Sequence, residues 1–204
     1  MRIGIFGGTF DPIHEGHLRA AAAFLHAVAP DALFLVPNRE TPRKRTPSAS
    51  AADRLAMTRL AVAADPRFDA RVSVSDCEIT RAETSYTADT VALFSEGGKN
   101  EIFLYCGTDT FRSIDRFVRA EEILRAVTLV LGAREEATEA ERREIAEKKA
   151  ELTRRYGTPI LDLPLVPAPL SSAQVREAIA RGDDVSAMLP ASVIAYIKEK
   201  KLYL

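Results

Sequence analysis

Short runs of β-branched and aromatic residues alternate with longer helical patterns along the whole chain, and this alternation limits the folds open to it. The predicted strands cover residues 2–6, 32–36, 71–75, 101–106, 127–132 and 159–163. The predicted helices cover residues 15–28, 51–64, 85–97, 108–126, 138–157, 171–182 and 190–203. The stretch 108–126 contains one or two helices. Ser85 or Thr87 is expected to cap the helix over 85–97. This order predicts an α/β fold, a doubly wound parallel sheet with helices on both faces and a small C-terminal helical element.

Composition limits the size and the partners of the molecule. A chain of 204 residues suits one domain over residues 1–204, with a helical subregion over about 171–204. The net charge of -1 excludes a protein that binds nucleic acid through its overall charge. The chain has two cysteines, Cys77 and Cys106, and we expect no secretory leader. No apolar stretch approaches the roughly 20 residues that cross a bilayer. These features predict a cytoplasmic protein without membrane contact. A homo-oligomer remains open.

The predicted topology indicates where a ligand binds. In doubly wound sheets, ligands lie beyond the carboxyl ends of the strands, where the winding direction reverses. The segments that follow the predicted strands are therefore the places to search: residues 7–17, 37–45, 107–109 and 132–134, together with the start of the helix at Ser171.

The first of these segments, "GGTFDPIHEGH" over residues 7–17, has the features of a phosphate site. Gly7, Gly8 and Thr9 bring bare backbone N–H groups close to a ligand, and the helix that follows turns its positive end toward the same space. The segment fits neither the dinucleotide fingerprint G-x-G-x-x-G nor the G-K-[ST] ending of the Walker A loop. A phosphate site of another type is left.

His14 and His17 lie three residues apart at the entry of this helix, so both rings can face one side. Three interpretations compete: each imidazole bonds only the local backbone, the pair binds zinc, or the two N–H groups hold phosphate oxygens. Zinc needs at least a third ligand, and His26 lies too far along the helix to supply it, so no protein metal site is expected. The glycines and the helix terminus favour phosphate.

The same residues carry a family resemblance. "GGTFDPIHEGH" resembles the signature of the HxGH nucleotidylyltransferases, and the chain is most similar to the nicotinate-mononucleotide adenylyltransferases of bacterial NAD biosynthesis. The pattern continues through "PNRETPRK" (37–44), "SYT" (85–87), "GTDTF" (107–111) and "LSSAQVR" (170–176). The resemblance implies a Rossmann-like fold, Mg²⁺ bound with ATP, and adenylyl transfer from ATP to nicotinate mononucleotide, giving deamido-NAD and pyrophosphate.

The resemblance also implies roles for particular residues. The implied catalytic residues are His14, His17, Lys44 and Arg176. The implied ATP-binding residues are Gly7, Gly8, Thr9, Phe10, His14, His17, Gly107, Asp109, Arg134, Ser171, Ser172 and Arg176. The implied mononucleotide-binding residues are Asp11, Asn38, Lys44, Ser85, Tyr86, Thr87 and Phe117, where Asp11 either shapes the loop or contacts the acceptor. On sequence alone, Asp109 is equally well explained as a helix N-cap.

Three positions depart from the family pattern. Arg43 stands where a histidine is usual, Phe117 where a tryptophan stacks on the pyridine ring, and Ala173 where a threonine is usual. These departures leave two alternatives: a sister HxGH enzyme with nicotinamide mononucleotide or phosphopantetheine as acceptor, or a catalytically weak nucleotide-binding regulator. The ionised phosphate of the mononucleotide needs no general base, and the sequence contains no nucleophile–base constellation.

Overall fold

The computed structural model describes residues 1–39, 47–132, 138–163 and 170–204. Within them, strands β1 to β6 occupy Arg2–Gly8, Ala32–Pro37, Val72–Val74, Glu101–Gly107, Val127–Gly132 and Ile160–Leu163. Helices α1 to α8 occupy Glu15–Val28, Ala51–Ala64, Thr87–Ser95, Thr108–Ser113, Ala120–Ala126, Glu139–Tyr156, Ser172–Arg181 and Ala191–Lys200, with a short 3-10 turn at Ile114–Arg116. None of these helices is both long enough and apolar enough to cross a membrane.

The strands form one parallel sheet in the order β3-β2-β1-β4-β5-β6. Ile3 of β1 is in register with Ile102 of β4, and Leu129 of β5 with Ile160 of β6. The winding direction reverses between β1 and β4, which is the switch point of a doubly wound sheet. The predicted α/β class, with its Rossmann-like sheet, is confirmed.

The chain divides into two compact units, each with a buried core. Unit 1 comprises Met1–Phe6, Ala23–Leu33 and Tyr86–Pro167, and unit 2 comprises Gly7–Ala22, Phe34–Ser85 and Ala168–Leu204. Fully buried side chains of unit 1 include Ile5, Phe24, Leu33, Ile102, Phe111 and Leu129. Those of unit 2 include Phe10, Ile13, Leu18, Leu35, Met57 and Val193. The single domain over residues 1–204 stays a prediction.

Strand β1 is buried along most of its length, as expected of a central strand in a parallel sheet. Ile3, Ile5 and Phe6 are at most 5% exposed. Gly4 lies between them, where a Cβ atom would stand 2.8 Å from Cδ1 of Leu33 and 3.2 Å from Cζ of Phe24. The glycine therefore lets these two side chains pack directly against the strand.

Helix starts differ from the sequence expectation at two places. The residue before α3 is Tyr86, whose backbone N–H donates to the Asp89 carboxylate at 3.3 Å, so the predicted cap by Ser85 or Thr87 is wrong. Gly107 precedes α4, which places Asp109 inside the first turn rather than at the N-cap. In the first case a side chain inside the helix takes the orphan donor, as in the second half of a capping box.

Replacing Gly4 with alanine should destabilise the protein through overpacking. The added methyl group must displace the fully buried Leu33 side chain. We expect the free energy of unfolding of Gly4→Ala to lie about 1–2 kcal/mol below that of Gly7→Ala. Gly7→Ala is the matched control because nothing lies within 4 Å of its Cβ position. Urea denaturation measures both, and equal stabilities would contradict the packing argument.

Candidate active site

The loop between β1 and α1, in unit 2, is shaped by close packing around Gly8. A Cβ atom on Gly8 would stand 2.6 Å from Cε1 of Phe10, so this position requires glycine. Phe10 is 1% exposed and has a φ of 50°, in the left-handed region that few non-glycine residues adopt. Gly7, by contrast, faces open space. The loop thus presents bare backbone at Gly7 while Phe10 fills the space beneath Gly8.

His14 and His17 stack on each other at the end of this loop. Their ring centroids are 3.7 Å apart with an interplanar angle of 24°, and Phe10 meets His17 edge-on at 5.1 Å. A Cβ atom on Gly16 would stand 3.1 Å from Nδ1 of His14, so the glycine between the histidines makes room for the buried ring. The i,i+3 spacing therefore brings both imidazoles to one side, as predicted.

Hydrogen bonding assigns the proton of His17 to its outer nitrogen. The backbone N–H of His14 donates to Nδ1 of His17 at 3.3 Å. A neutral imidazole that accepts at Nδ1 carries its proton on Nε2, so Nε2 is the donor available to a ligand. Nδ1 of His14 is buried and has no hydrogen-bond partner in the described part of the chain. An unpaired buried nitrogen of this kind is costly unless a ligand or water completes it.

Both histidines are held in the neutral form. Burial lowers the pKa of His14 to about 4. Burial, and then the charge that His14 would carry, lower the pKa of His17 well below its ordinary value. At neutral pH the pair therefore offers N–H donors without net charge, and an anion bound beside it would raise both pKa values again.

Arg54 of α2 fixes the loop from beneath. Arg54 is 1% exposed. Its guanidinium donates through Nη1 to the Thr9 carbonyl oxygen at 2.6 Å, and through Nη2 to the Arg39 carbonyl oxygen at 2.7 Å. The carbonyl of Thr9 thus points into the protein. Because the peptide plane is rigid and trans, the N–H of Phe10 points away from Arg54.

Asn38, which follows β2, joins the same loop from the side. Its backbone N–H donates to the Gly8 carbonyl oxygen at 2.9 Å, and its Nδ2 donates to Thr9 Oγ1 at 3.3 Å. Its side-chain oxygen accepts from Arg54 at 3.4 Å. In this conformation Asn38 therefore shapes the glycine loop.

Asp11 is a hydrogen-bond node within unit 2. The residue is 5% exposed. Its carboxylate accepts from the backbone N–H of Ser48 at 2.7 Å, from that of Ala49 at 3.0 Å and from the Tyr203 hydroxyl at 2.7 Å. Arg176 donates to the Asp11 carbonyl oxygen at 2.6 Å and stands 3.6 Å from its Oδ2. Of the two roles expected for Asp11, this geometry supports shaping the loop.

The start of α7 contributes three of the predicted residues. Ser171 is the N-cap and accepts from the Gln174 N–H at 3.3 Å. The Ser172 hydroxyl donates to the Pro12 carbonyl oxygen at 3.0 Å, which ties the helix to the glycine loop. Arg176, one turn further, joins the same loop through Asp11. Unit 2 thus brings the positive end of α7 to the histidine-bearing loop.

The residues expected to bind the mononucleotide base divide between the units. In unit 2, Ser85 is buried and accepts from Arg81 at 2.6 Å. In unit 1, Tyr86 precedes α3 and Thr87 is its first residue. Asp89, in the first turn of α3, forms a close ion pair with Arg119.

Unit 1 also holds the remaining described candidates. Gly107 closes β4, Asp109 is exposed on the first turn of α4, and Phe117 is half-buried before α5. Lys44, Arg43 and Arg134 lie outside the described residues. Within the described ranges, no three His, Cys, Asp or Glu side chains are grouped so that they could hold a metal ion.

Sequence reasoning missed two residues, Arg54 and Tyr203. A signal for Arg54 was present, because it shares the helical spacing of the buried residues Met57, Thr58 and Ala61 and so lies on the inner stripe of α2. For Tyr203 there was none, since its contact with Asp11 spans 192 positions.

The lowered histidine pKa values predict acid sensitivity of the fold. Histidine in the unfolded chain titrates near pH 6.5, whereas folded His14 stays neutral down to about pH 4. The unfolded state therefore binds more protons between these values. The free energy of unfolding should fall by up to about 1.4 kcal/mol per pH unit for this residue as the pH drops through that window.

Urea denaturation between about pH 7 and pH 4.5 measures this slope. His14→Asn should flatten it, while His26→Asn, at an exposed position of α1, should leave it unchanged. An equal slope in His14→Asn and the unmodified protein would contradict the assignment.

Known proteins are similar in sequence to this chain over nearly its whole length. The sequence model of the cytidylyltransferase-like family matches residues 5–178. A protein of Neisseria meningitidis serogroup B named "Probable nicotinate-nucleotide adenylyltransferase" is 35% identical and aligns with 99% of this chain and 98% of its own length. A protein of Pseudomonas putida strain GB-1 with the same name is 36% identical, with 99% of this chain and 94% of its own length covered.

Solved structures share the fold. The Plasmodium falciparum nicotinic acid mononucleotide adenylyltransferase complexed with NaAD superposes with a TM-score of 0.80 at 18% identity, covering 99% of this chain and 97% of that one. The same enzyme complexed with APC gives a TM-score of 0.77. Taken with the full-length relatives, these findings show that the chain belongs to the cytidylyltransferase-like family, among the nicotinate-nucleotide adenylyltransferases.

Proposed function

We propose that this enzyme transfers the adenylyl group of ATP to nicotinate mononucleotide, forming deamido-NAD and pyrophosphate. The observation that carries the proposal is the pair of neutral, stacked imidazoles, His14 and His17, at the junction of a bare glycine loop and the start of α1. Relatives that match the whole chain carry the name of this activity.

The triphosphate of ATP would bind to the donors that unit 2 gathers. The backbone N–H groups of Gly8 and Thr9 hold phosphate, and the histidines contact the triphosphate. Arg176, with Ser171 and Ser172 at the start of α7, binds the β- and γ-phosphate oxygens, because a helix N-terminus and a guanidinium both favour anions. Lys44, outside the described residues, positions the reacting phosphates.

The reaction would proceed by in-line attack of the mononucleotide phosphate on the α-phosphorus of ATP. That phosphate is ionised at neutral pH, so no residue has to remove a proton from it. Catalysis then rests on alignment and on donors directed at the charge that develops on the pentacoordinate phosphorus. The Nε2–H of His17 is such a donor, and its orientation is set by the bond from His14 N–H to its Nδ1.

Mg²⁺ would bind together with ATP rather than at a site made only of protein side chains. The carboxylate of Asp11, at the loop, already accepts three hydrogen bonds. The ion would therefore be held by phosphate oxygens and water, as is usual for Mg²⁺. When bound, it neutralises charge on the phosphates, and we expect a chelator to abolish turnover and added Mg²⁺ to restore it.

The acceptor and the cell compartment belong to the same proposal. Thr87 begins α3, and a helix N-terminus favours the carboxylate of nicotinate over a neutral amide. Arg119 pairs with Asp89 and so offsets the one acidic side chain in that first turn. Cys77 and Cys106 are free thiols, which supports a reducing, cytoplasmic location.

Replacing His17 with alanine should slow turnover by a hundredfold or more. Loss of one donor to the developing charge is worth about 3 kcal/mol in the transition state. Release of pyrophosphate from ATP and nicotinate mononucleotide measures kcat, and His26→Ala, at an exposed position of α1, is the control. A kcat for His17→Ala close to that of the unmodified enzyme would show that the imidazole does not stabilise the transition state.

The acceptor is tested by comparing kcat/KM for three substrates. We expect nicotinate mononucleotide to exceed nicotinamide mononucleotide, and phosphopantetheine to give no pyrophosphate. Preference for another acceptor would identify a sister enzyme. Tight binding of ATP without turnover on any acceptor would indicate a nucleotide-binding regulator instead.

A further inference from the structure

The connection between β3 and α3 contains a stretch without backbone pairing. It begins with a tight turn, in which the N–H groups of Ile79 and Thr80 each donate to the Asp76 carbonyl oxygen at 2.9 Å. After this turn, residues 82–85 make no backbone-to-backbone hydrogen bond with any residue that the structure describes. Residues 82–84 are exposed, and Ser85 is buried again. The path of the chain into Ser85 therefore depends on bonds from side chains.

Arg39, which follows β2, supplies the first of these bonds. Its Nη1 donates to the Arg81 carbonyl oxygen at 2.8 Å and to the Ala82 carbonyl oxygen at 3.3 Å. One guanidinium nitrogen thus holds two consecutive carbonyl groups, and a bond from a charged donor is stronger than one from a neutral donor. The contact ties the unpaired stretch to a loop that lies more than forty positions earlier in the sequence.

The backbone from which Arg39 reaches is itself held. The Arg39 carbonyl oxygen accepts from the buried Arg54 at 2.7 Å. The preceding residue, Asn38, donates its N–H to the Gly8 carbonyl oxygen at 2.9 Å. All of these residues belong to unit 2. Arg39 therefore extends the support of the glycine loop to the stretch that leads into Ser85.

Arg81 passes this constraint on to Ser85. Its guanidinium donates to Ser85 Oγ at 2.6 Å. A hydroxyl that accepts a hydrogen bond keeps its own O–H group as a donor, and Ser85 donates to no residue within the described ranges. A bond from a cation also polarises the hydroxyl and strengthens it as a donor. Ser85 thus holds a buried O–H group that a ligand can use.

We propose that Arg39 is a positioning residue for the acceptor substrate: by holding the carbonyls of Arg81 and Ala82, it fixes the stretch from which the Ser85 hydroxyl donates to nicotinate mononucleotide. The inference rests on the proposed function in assigning the acceptor to the segment that begins at Ser85. Without Arg39, the acceptor would have to order this stretch when it binds, and the entropy lost in that ordering would weaken binding.

Arg39→Ala tests the proposal, with Arg59→Ala as the matched control. Arg59 is also exposed and ties the start of the same connection to α2, through a bond to the Asp76 carboxylate at 3.0 Å. We expect the KM for nicotinate mononucleotide to rise about tenfold in Arg39→Ala, with kcat and the KM for ATP unchanged. Arg39→Lys, which keeps a charged donor, should recover most of this loss. Arg59→Ala should leave both KM values unchanged.

Trypsin provides a second measurement that needs no substrate. The protease cleaves after arginine, so the carbonyl that it attacks at Arg81 is one that Arg39 holds. Exposed stretches without backbone pairing are the preferred sites of such cleavage. We expect mass spectrometry to show several times faster cleavage between Arg81 and Ala82 in Arg39→Ala, and no change in Arg59→Ala.

A double-mutant cycle with Ser85→Ala separates positioning from a direct contact between Arg39 and the substrate. If Arg39 acts through Ser85, Arg39→Ala has little further effect on the KM for nicotinate mononucleotide once the hydroxyl is gone. The proposal is overturned if the full tenfold effect persists in the Ser85→Ala background, or if the KM for ATP rises equally. It is also overturned if cleavage after Arg81 is no faster in Arg39→Ala.

The Kd for nicotinate mononucleotide, measured by titration calorimetry in the same variants, needs no turnover. An enzyme that binds the mononucleotide but releases no pyrophosphate would overturn the proposed function, and its Kd values would still decide the role of Arg39. Equal Kd values in Arg39→Ala and the unmodified enzyme would overturn the positioning role and leave the proposed function in place.

Discussion

The buried carboxylate of Asp11 is the interaction on which the rest of unit 2 depends. Asp11, in the glycine loop, connects three other stretches that are far apart in sequence. Its carboxylate accepts from residues 48–49, just before α2, and from Tyr203 in the C-terminal turn, and its backbone carbonyl accepts from Arg176 in α7. A buried charge is tolerated only when hydrogen bonds replace the water it has lost. Residues 48–49 and the C-terminal turn supply that replacement, so a shift of the loop would leave a donor or an acceptor unsatisfied.

Arg54 carries a buried positive charge, which likewise needs hydrogen-bond partners. Its guanidinium donates hydrogen bonds to the carbonyl oxygens of Thr9 and Arg39, on the loops that follow β1 and β2. A guanidinium stays protonated in every environment, so this arrangement does not change with pH. His14 and His17 lie at the end of the loop that these bonds hold. Both imidazoles are neutral, and a bound anion would raise their pKa values and so favour protonation. Fixed charges thus shape the loop, and in the proposed function the titratable neutral groups would face the phosphate.

The sequence was sufficient for the sheet and for the local motifs, and insufficient for the contacts that connect them. Strands such as β5 were predicted at their observed bounds because continuous apolar runs mark buried parallel strands. The histidine pair was predicted from i,i+3 spacing, which is a local property. The bond between Asp11 and Tyr203 depends on how α8 ends and where the chain returns, and no local pattern encodes that distance. The cap on α3 was missed because the residue before the helix is Tyr86, whose backbone N–H donates to Asp89 inside the helix.

The departures from the family pattern that fall in described residues leave the hydrogen bonds that hold the glycine loop intact. Ala173 lacks a hydroxyl, yet the tie between α7 and the glycine loop runs through Ser172 and Arg176. Phe117 belongs to unit 1, whereas Asp11 and Arg54 belong to unit 2. Changes at Ala173 and Phe117 can therefore alter contacts to a substrate without removing a buried hydrogen bond. Substitutions at Asp11 or Arg54 would each remove several buried hydrogen bonds.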